Sequence, residues 1–258
     1  MPYVQGIYPI LFKENLSKNI FDFTIKSKEI ARLARPGQFV QIRVPYMPLR
    51  RPISLADINL DKNYIRIVFE IKGQGTGYLA QFKAWDNLDI LGPLGRGFTM
   101  LPPNKKVYLI GGGIGTPPLV PLAGYYGGNA TVITGFRDAK AVILDDEFKK
   151  FFNEHILCTD DGSKGIKGYV TDVLYQRLKS GERPDMIYAC GPKPMLQKVA
   201  QLAAEFDIEC EISMEERMAC GIGACLGCAC KTHEHDGTSS YAHVCKDGPV
   251  FNSKEVIF

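Results

Sequence analysis

The sequence predicts a multidomain α+β and α/β protein: an N-terminal antiparallel β-barrel, a central parallel α/β domain and a small C-terminal cysteine-rich domain. Three observations predict it. Short alternating or apolar runs fill the first hundred or so residues with no long helical stretch between them. From residue 102 onward, strand-like runs alternate with helix-like ones. Near the C-terminus, MACGIGACLGCAC sets four of the eight cysteines within eleven positions.

A chain of 258 residues exceeds ordinary single-domain size. Changes of pattern divide it at 1–101, 102–212 and 213–258, with Pro102 and Pro103 marking the first boundary. Composition (45% hydrophobic, 23% charged, no low-complexity tract) is that of a folded protein with a sizeable core and excludes a disordered or fibrous chain. A net charge of +3, with both signs interspersed, leaves no basic patch for nucleic acid. With no basic leader, no apolar stretch of spanning length and no disulfide-like cysteine framework, the expectation is a cytoplasmic protein without a membrane segment.

In the first domain, FDFTIKS, GQFVQIRV and NYIRIVFEI read as strands separated by turns. RRPISLA, at 50–56, ends a strand with arginines, a proline and a serine. Arg51 offers a bidentate clamp for phosphate, and Ser54 a hydrogen bond to a ring nitrogen. A solvated strand end is the plainer reading. IKGQGTGYLAQF follows, with glycines 73, 75 and 77 turning into a helix and Thr76 supplying an N-cap hydroxyl beside free amides.

In the second domain the apolar run VYLI leads into LIGGGIGTPPL. Gly111, Gly112, Gly113 and Gly115 let the backbone approach a pyrophosphate at the start of a helix. Thr116 stands where a third fingerprint glycine would be, Pro117 and Pro118 follow, and the Lys-Ser/Thr of a P-loop is missing. A structural strand-to-helix turn would show the same pattern. Cys190, Gly191 and Pro192 form a second strand-to-helix turn in IYACGPKPML, and two such turns in one sheet line one crevice.

The third domain carries Cys220, Cys225 and Cys228 in the spacing C-x4-C-x2-C, with Cys245 seventeen positions further on. That is the ligand spacing of a plant-type [2Fe-2S] cluster. Glycines and alanines between the thiols let the backbone wrap closely and aim N–H groups at sulfur. Zinc competes, because Cys228, Cys230, His233 and His235 offer a compact Cys/His set, although their spacing is irregular for a zinc finger. Cys158, Cys190 and Cys210 are scattered, and Cys190 by itself reads as a core thiol.

A β-rich domain with R-P-x-S and G-x-G-T, followed by GGGIGTPPL and CGPKPM, resembles the ferredoxin–NADP reductase superfamily over residues 1 to about 212. With MEERMACGIGACLGCAC added, the whole chain resembles the electron transfer subunits of class B dihydroorotate dehydrogenases. The resemblance implies a barrel that binds FAD, with Arg51, Pro52, Ile53 and Ser54 facing the flavin and Gly75 and Thr76 holding its pyrophosphate. It implies NAD(H) on the α/β domain and a [2Fe-2S] cluster on Cys220, Cys225, Cys228 and Cys245. It also implies an FMN-containing TIM-barrel partner that oxidises dihydroorotate in pyrimidine biosynthesis, in a heterotetramer. NAD is chosen from the family: Arg137 would favour a 2′-phosphate and Asp138 a free ribose hydroxyl.

Two other functions remain open on the sequence. One is the flavin and iron–sulfur subunit of another complex, of the hydrogenase diaphorase or ferredoxin-linked NADP reductase type. Some of those relatives carry aspartate at the first ligand position, against Cys220 here. The other is a non-enzymatic, zinc-stabilised binding module, which would not be expected to retain Arg51, Pro52, Ser54 and Thr76.

Overall fold

The computed structural model describes residues 2–151, 154–233 and 238–258. Its first six strands, β1 (Val4–Ser17), β2 (Ile20–Lys26), β3 (Phe39–Ile42), β4 (Arg51–Asn59), β5 (Tyr64–Glu70) and β6 (Asn87–Leu94), close a barrel in the order β1-β2-β5-β4-β3-β6. Every pairing is antiparallel. Closure rests on β1, whose first half pairs with β6 and whose second half pairs with β2, a register shift after Ile10 separating the two. Alternate inward residues fill the barrel, among them Phe23, Ile25, Leu55, Ile65, Ile67 and Ile90. Two short helices, α1 (Lys28–Leu33) and α2 (Gln74–Leu79), lie in its connections.

After the barrel the chain alternates β7 (Val107–Gly112), α3 (Val120–Tyr126), β8 (Ala130–Phe136), α4 (Asp145–Lys150), β9 (Glu154–Thr159), β10 (Ile166–Lys167), α5 (Val170–Lys179), β11 (Met186–Cys190), α6 (Lys193–Glu205) and β12 (Cys210–Ser213). All six residues of β7 are buried, as expected of a strand covered on both faces. Core contacts put α5 and α6 on one face of the sheet and α3 and α4 on the other. Helix α4 stops at Lys150, and Glu154 and His155 already belong to β9.

Strand order is β10-β9-β8-β7-β11-β12-β15, where β15 (Val250–Asn252) comes from the C-terminal segment and pairs antiparallel with β12. Strands progress outward from β7 in one direction and from β11 in the other, so a topological switch point lies between them. Ahead of β15, β13 (Ala229–His233) and β14 (Ser239–His243) form a separate hairpin. The cysteine segment thus ends as an edge strand of the central sheet, an attachment that a three-residue strand does not announce in sequence.

The barrel and the sheet are locked together by polar and apolar contacts. Tyr188, fully buried in β11, donates to the Thr99 carbonyl at 2.6 Å, and Glu211 of β12 accepts from the Thr99 amide and hydroxyl. Arg66 of β5 bridges Asp22 of β2 and Glu147 of α4, at 2.6 Å to each. Ala56 and Val68 of the barrel share a core with Phe136 and Ile143, with Ile114 of the glycine turn packed against it.

Beneath α4 lies a buried polar group. His155 Nε2 meets the Thr134 hydroxyl at 2.8 Å, while its Nδ1 faces Asp145 at 3.3 Å out of hydrogen-bond alignment. Asp145 also accepts from Lys164 and Lys149. Burial holds the imidazole below its ordinary value of 6.5, with Asp145 opposing the shift. Because the folded value is depressed, the unfolded chain binds the proton first. Stability is therefore lost as pH falls below 6.5, at up to about 1.4 kcal/mol per pH unit for one proton. Urea unfolding between pH 7.5 and 5.5 should show this slope, and His155→Gln should flatten it.

Candidate functional site

Three sites assemble around the ends of β4, β7 and β11. On β4, Arg51, Pro52, Ile53 and Ser54 are half-buried. The Arg51 guanidinium lies over α2: a Cβ added to Gly75 would stand 2.0 Å from its Nε. Strand and turn, some twenty residues apart in sequence, therefore lie against each other. Arg50 and Arg51 divide their work. One Arg50 Nη donates to both carboxylate oxygens of Asp89 at 2.9 and 3.0 Å, whereas Arg51 donates to the Leu49 and Arg50 carbonyls and has no carboxylate partner among the described residues. One expectation is corrected here. Thr76 is not the N-cap; Gly73 is, and the Thr76 hydroxyl turns back to accept from the Lys72 and Gly73 amides at 2.9 and 3.3 Å.

At the switch point the turn after β7 meets the turn after β11. A Cβ on Gly115 would fall 2.6 Å from the Cys190 carbonyl and the Gly191 Cα, so only glycine lets these backbones approach. Gly112 is equally close to Pro192 and Met195. Gly113 faces open space with φ +52. The anticipated helix start is displaced, because Gly113–Gly115 and Pro117–Leu119 form 3₁₀ turns and α3 begins only at Val120. Thr116 is buried with its hydroxyl unpartnered beside Gly111. A cradle of glycine backbone with an unsatisfied hydroxyl in its floor fits a dinucleotide pyrophosphate. Cys190 contributes backbone to this crevice. Burial pushes its thiol up to about 12, beyond any role as a thiolate. Asp138, beyond β8, caps the Ala139–Ala141 turn, accepting from the Lys140 and Ala141 amides, and pairs with the exposed Arg137.

The cysteine loop is built around its thiols. Cys220 Sγ accepts from the amides of Ile222, Ala224 and Cys225 at 3.3–3.4 Å, Cys245 Sγ from Gly223 at 3.1 Å, and Cys228 Sγ from Cys245 at 3.4 Å. Burial opposes ionisation of Cys220, yet donation from these amides and from the Cys225 thiol brings it down to about 6. Burial, then the contact with the Cys228 thiol, holds Cys245 up near 12. Cys220 and Cys225 lie toward solvent, whereas Cys228 and Cys245 are buried and joined by the Cys245 amide on Cys228 Sγ. No three described His, Cys, Asp or Glu side chains converge on one point as a mononuclear ion would require. Two pairs of thiols, one toward solvent and one buried, fit a two-iron cluster with two thiolates per iron.

The zinc set does not assemble among the described residues. Along β13, Cys230 points inward and His233 outward, as strand periodicity dictates, and His235 lies outside the described residues. Burial pushes Cys230 up to about 11, as suits a core thiol. Sequence reasoning missed Gln41, a fully buried polar residue on β3 against the loop. Its signal was a glutamine amid the apolar run FVQI.

Comparison with known proteins agrees with this geometry. The family described as the iron–sulfur cluster binding domain of dihydroorotate dehydrogenase B matches residues 215–257, and the oxidoreductase NAD-binding domain matches 109–201. The dihydroorotate dehydrogenase B (NAD(+)) electron transfer subunit of Fusobacterium nucleatum subsp. nucleatum is 41% identical over 251 residues, covering 93% of this chain and 94% of its own. That of Geobacillus kaustophilus is 39% identical over 250 residues, covering 94% of each. Among solved structures, the NADH-dependent reduced ferredoxin-NADP oxidoreductase, studied for flavin-based electron bifurcation, superposes with a TM-score of 0.86 at 31% identity. The match covers 98% of this chain and 90% of that one. A ferredoxin reductase of carbazole 1,9a-dioxygenase (TM-score 0.68, 19% identity, 81% and 67% covered) shares the fold.

Barrel, parallel sheet and paired thiols define the class: an oxidoreductase of ferredoxin reductase-like fold with an NAD-binding domain and an iron–sulfur domain. Within that class, the chain belongs to the family of electron transfer subunits of dihydroorotate dehydrogenase B.

Gly221, immediately after Cys220, tests the loop. It has φ +75, and a Cβ there would meet the Gln41 amide at 2.6 Å. Gly221→Ala should cost about 1–2 kcal/mol in backbone strain alone and reduce the iron bound per chain, while flavin content stays at the wild-type level.

Proposed function

We propose that this chain passes electrons from the FMN of a partner catalytic subunit, which oxidises dihydroorotate to orotate, through a [2Fe-2S] cluster and FAD to NAD+. The proposal includes a TIM-barrel partner, a heterotetramer and a cytoplasmic setting. It keeps the domain limits 1–101, 102–212 and 213–258. One observation carries it: the loop of paired thiols packs against β3, the strand beside the Arg51–Ser54 segment, while its other side reaches solvent. Such a loop has one face toward the barrel and one toward a partner.

When bound, NAD(H) exchanges two electrons as hydride, the cluster exchanges one, and FAD does either. The protein's work is holding and shielding. Arg51 clamps phosphate with the guanidinium edges that no carboxylate occupies; Pro52, Ile53 and Ser54 line the ring; Gly75 and Thr76 bring backbone to the pyrophosphate. Gly111, Gly112, Gly113, Gly115 and Thr116, with Cys190, Gly191 and Pro192, line the NAD(H) crevice. Cys220, Cys225, Cys228 and Cys245 supply the thiolates, with backbone donors on the sulfurs of Cys220, Cys228 and Cys245. No side chain is assigned a catalytic acid–base role. His155 is sealed in the polar group under α4, and the chemistry at carbon belongs to the partner.

The exposed rim of the loop supports docking there. Ile222 and Leu226 stand 41% and 61% exposed, and Leu226 is held out by a left-handed backbone, φ +60. The likeness to the reduced ferredoxin-NADP oxidoreductase favours a second reading, the same relay serving another partner. Reconstitution with a purified FMN-containing catalytic subunit separates the two, since only the first reading yields dihydroorotate-dependent NAD+ reduction.

In that reconstituted system Cys225→Ser should abolish dihydroorotate–NAD turnover yet leave NADH oxidation by a dye that accepts directly from FAD. Intact turnover in the variant refutes the route. Cys230→Ser should change neither activity, and loss of cluster from it would show that the four ligands are wrongly chosen.

A further inference from the structure

Gln41 is the one side chain among the described residues with two polar atoms buried and unpartnered, both Nε2 and Oε1. It sits within β3, 0% exposed, between Pro52 of β4 and Leu91 of β6. Its backbone is fully engaged: the carbonyl accepts from Arg50, and the strand pairs on both sides. A primary amide left unpaired in such surroundings is strongly disfavoured, so it must meet a partner in the working protein.

The amide is pressed onto the cluster loop. Nε2 lies 2.6 Å, and Cγ 2.8 Å, from the point where a Cβ on Gly221 would stand. Gly221 follows Cys220, whose sulfur is already the target of three amides from within the loop. Those donors approach from the loop's own backbone, and Gln41 approaches from the barrel. The missing side chain at Gly221 is what admits it.

We propose that Gln41 is a positioning residue for the iron–sulfur centre: its Nε2 donates a hydrogen bond to the sulfur shell of the cluster held by Cys220. This deepens, and rests on, the functional reading above. A reduced cluster carries one more negative charge than an oxidised one, so a donor aimed at sulfur favours the reduced form and raises its potential. The donor belongs to the strand paired with Pro52, the flavin-facing segment. Gln41 thereby ties the electron affinity of the cluster to the seating of the loop on the barrel.

The test is a potentiometric titration of the full chain, loaded anaerobically with FAD and cluster and followed by low-temperature EPR. A wild-type chain that takes up no cluster overturns the functional reading, and the proposal with it. If the wild type is loaded, the comparison with Gln41→Leu decides the proposal alone. The variant should keep its iron and flavin. Its ratio of reduced to oxidised cluster at fixed potential should fall about tenfold, or ~59 mV for one electron. Gln41→Asn, which keeps a shorter amide, should fall between. An unchanged midpoint in a fully loaded Gln41→Leu chain overturns the proposal. Should that variant fail to hold its cluster, the wild type carrying ¹⁵N in its glutamine side chains decides: the reduced cluster should show a ¹⁵N coupling by pulsed EPR, and its absence overturns the proposal.

Discussion

A single apolar core binds the three parts of this protein into one body. Phe39 and Leu94 of the barrel, Ile187, Ala189 and Ile212 of the sheet, and Cys228, Val244, Cys245 and Phe251 of the C-terminal segment all belong to it. A segment of some forty residues has too little apolar surface to form a core of its own. Here it borrows one, adding β15 to the edge of the sheet and seating the buried thiol pair against side chains of both other domains. Removal of apolar surface from water thus fixes the cluster loop with respect to barrel and sheet at once.

That placement explains the distribution of polar groups. Cys220, Cys228 and Cys245 accept from backbone amides, which carry no net charge and cannot be titrated away, and Cys228 and Cys245 also lie in low-dielectric surroundings. The crevice at the switch point is also made of backbone, where two glycine turns touch. Charged side chains serve instead as ties between elements, as with Arg50 and Asp89, or Arg66 with Asp22 and Glu147. Arg51 has no such tie among the described residues.

Much of this was legible in the sequence, and for physical reasons. Ligand spacing is a local property of the chain, so C-x4-C-x2-C pointed to an iron–sulfur domain, matched at 215–257, without any tertiary knowledge. Buried parallel strands ending in glycine are equally local, and VYLIGGG and IYACG marked both turns of the crevice. What escaped was non-local or depended on a few tenths of an ångström. The return of Val250–Asn252 to the sheet depends on pairing with β12, some forty positions earlier, and a three-residue strand carries almost no pattern. Thr76 read as a cap because its type and neighbourhood suit one, but the turn registers one step earlier, at Gly73. Gln41 fell on what alternation would make an outward position of β3; the strand is buried on both faces because the cluster loop covers it.

The proposed relay makes NAD(H), flavin and cluster one connected path through this chain. The most direct measurement is addition of NADH to the anaerobically purified protein, followed by optical and low-temperature EPR spectroscopy. The account predicts bleaching of a flavin band together with the appearance of a [2Fe-2S]⁺ signal. A colourless protein that contains zinc, or a flavin that bleaches while no cluster signal appears, would contradict it.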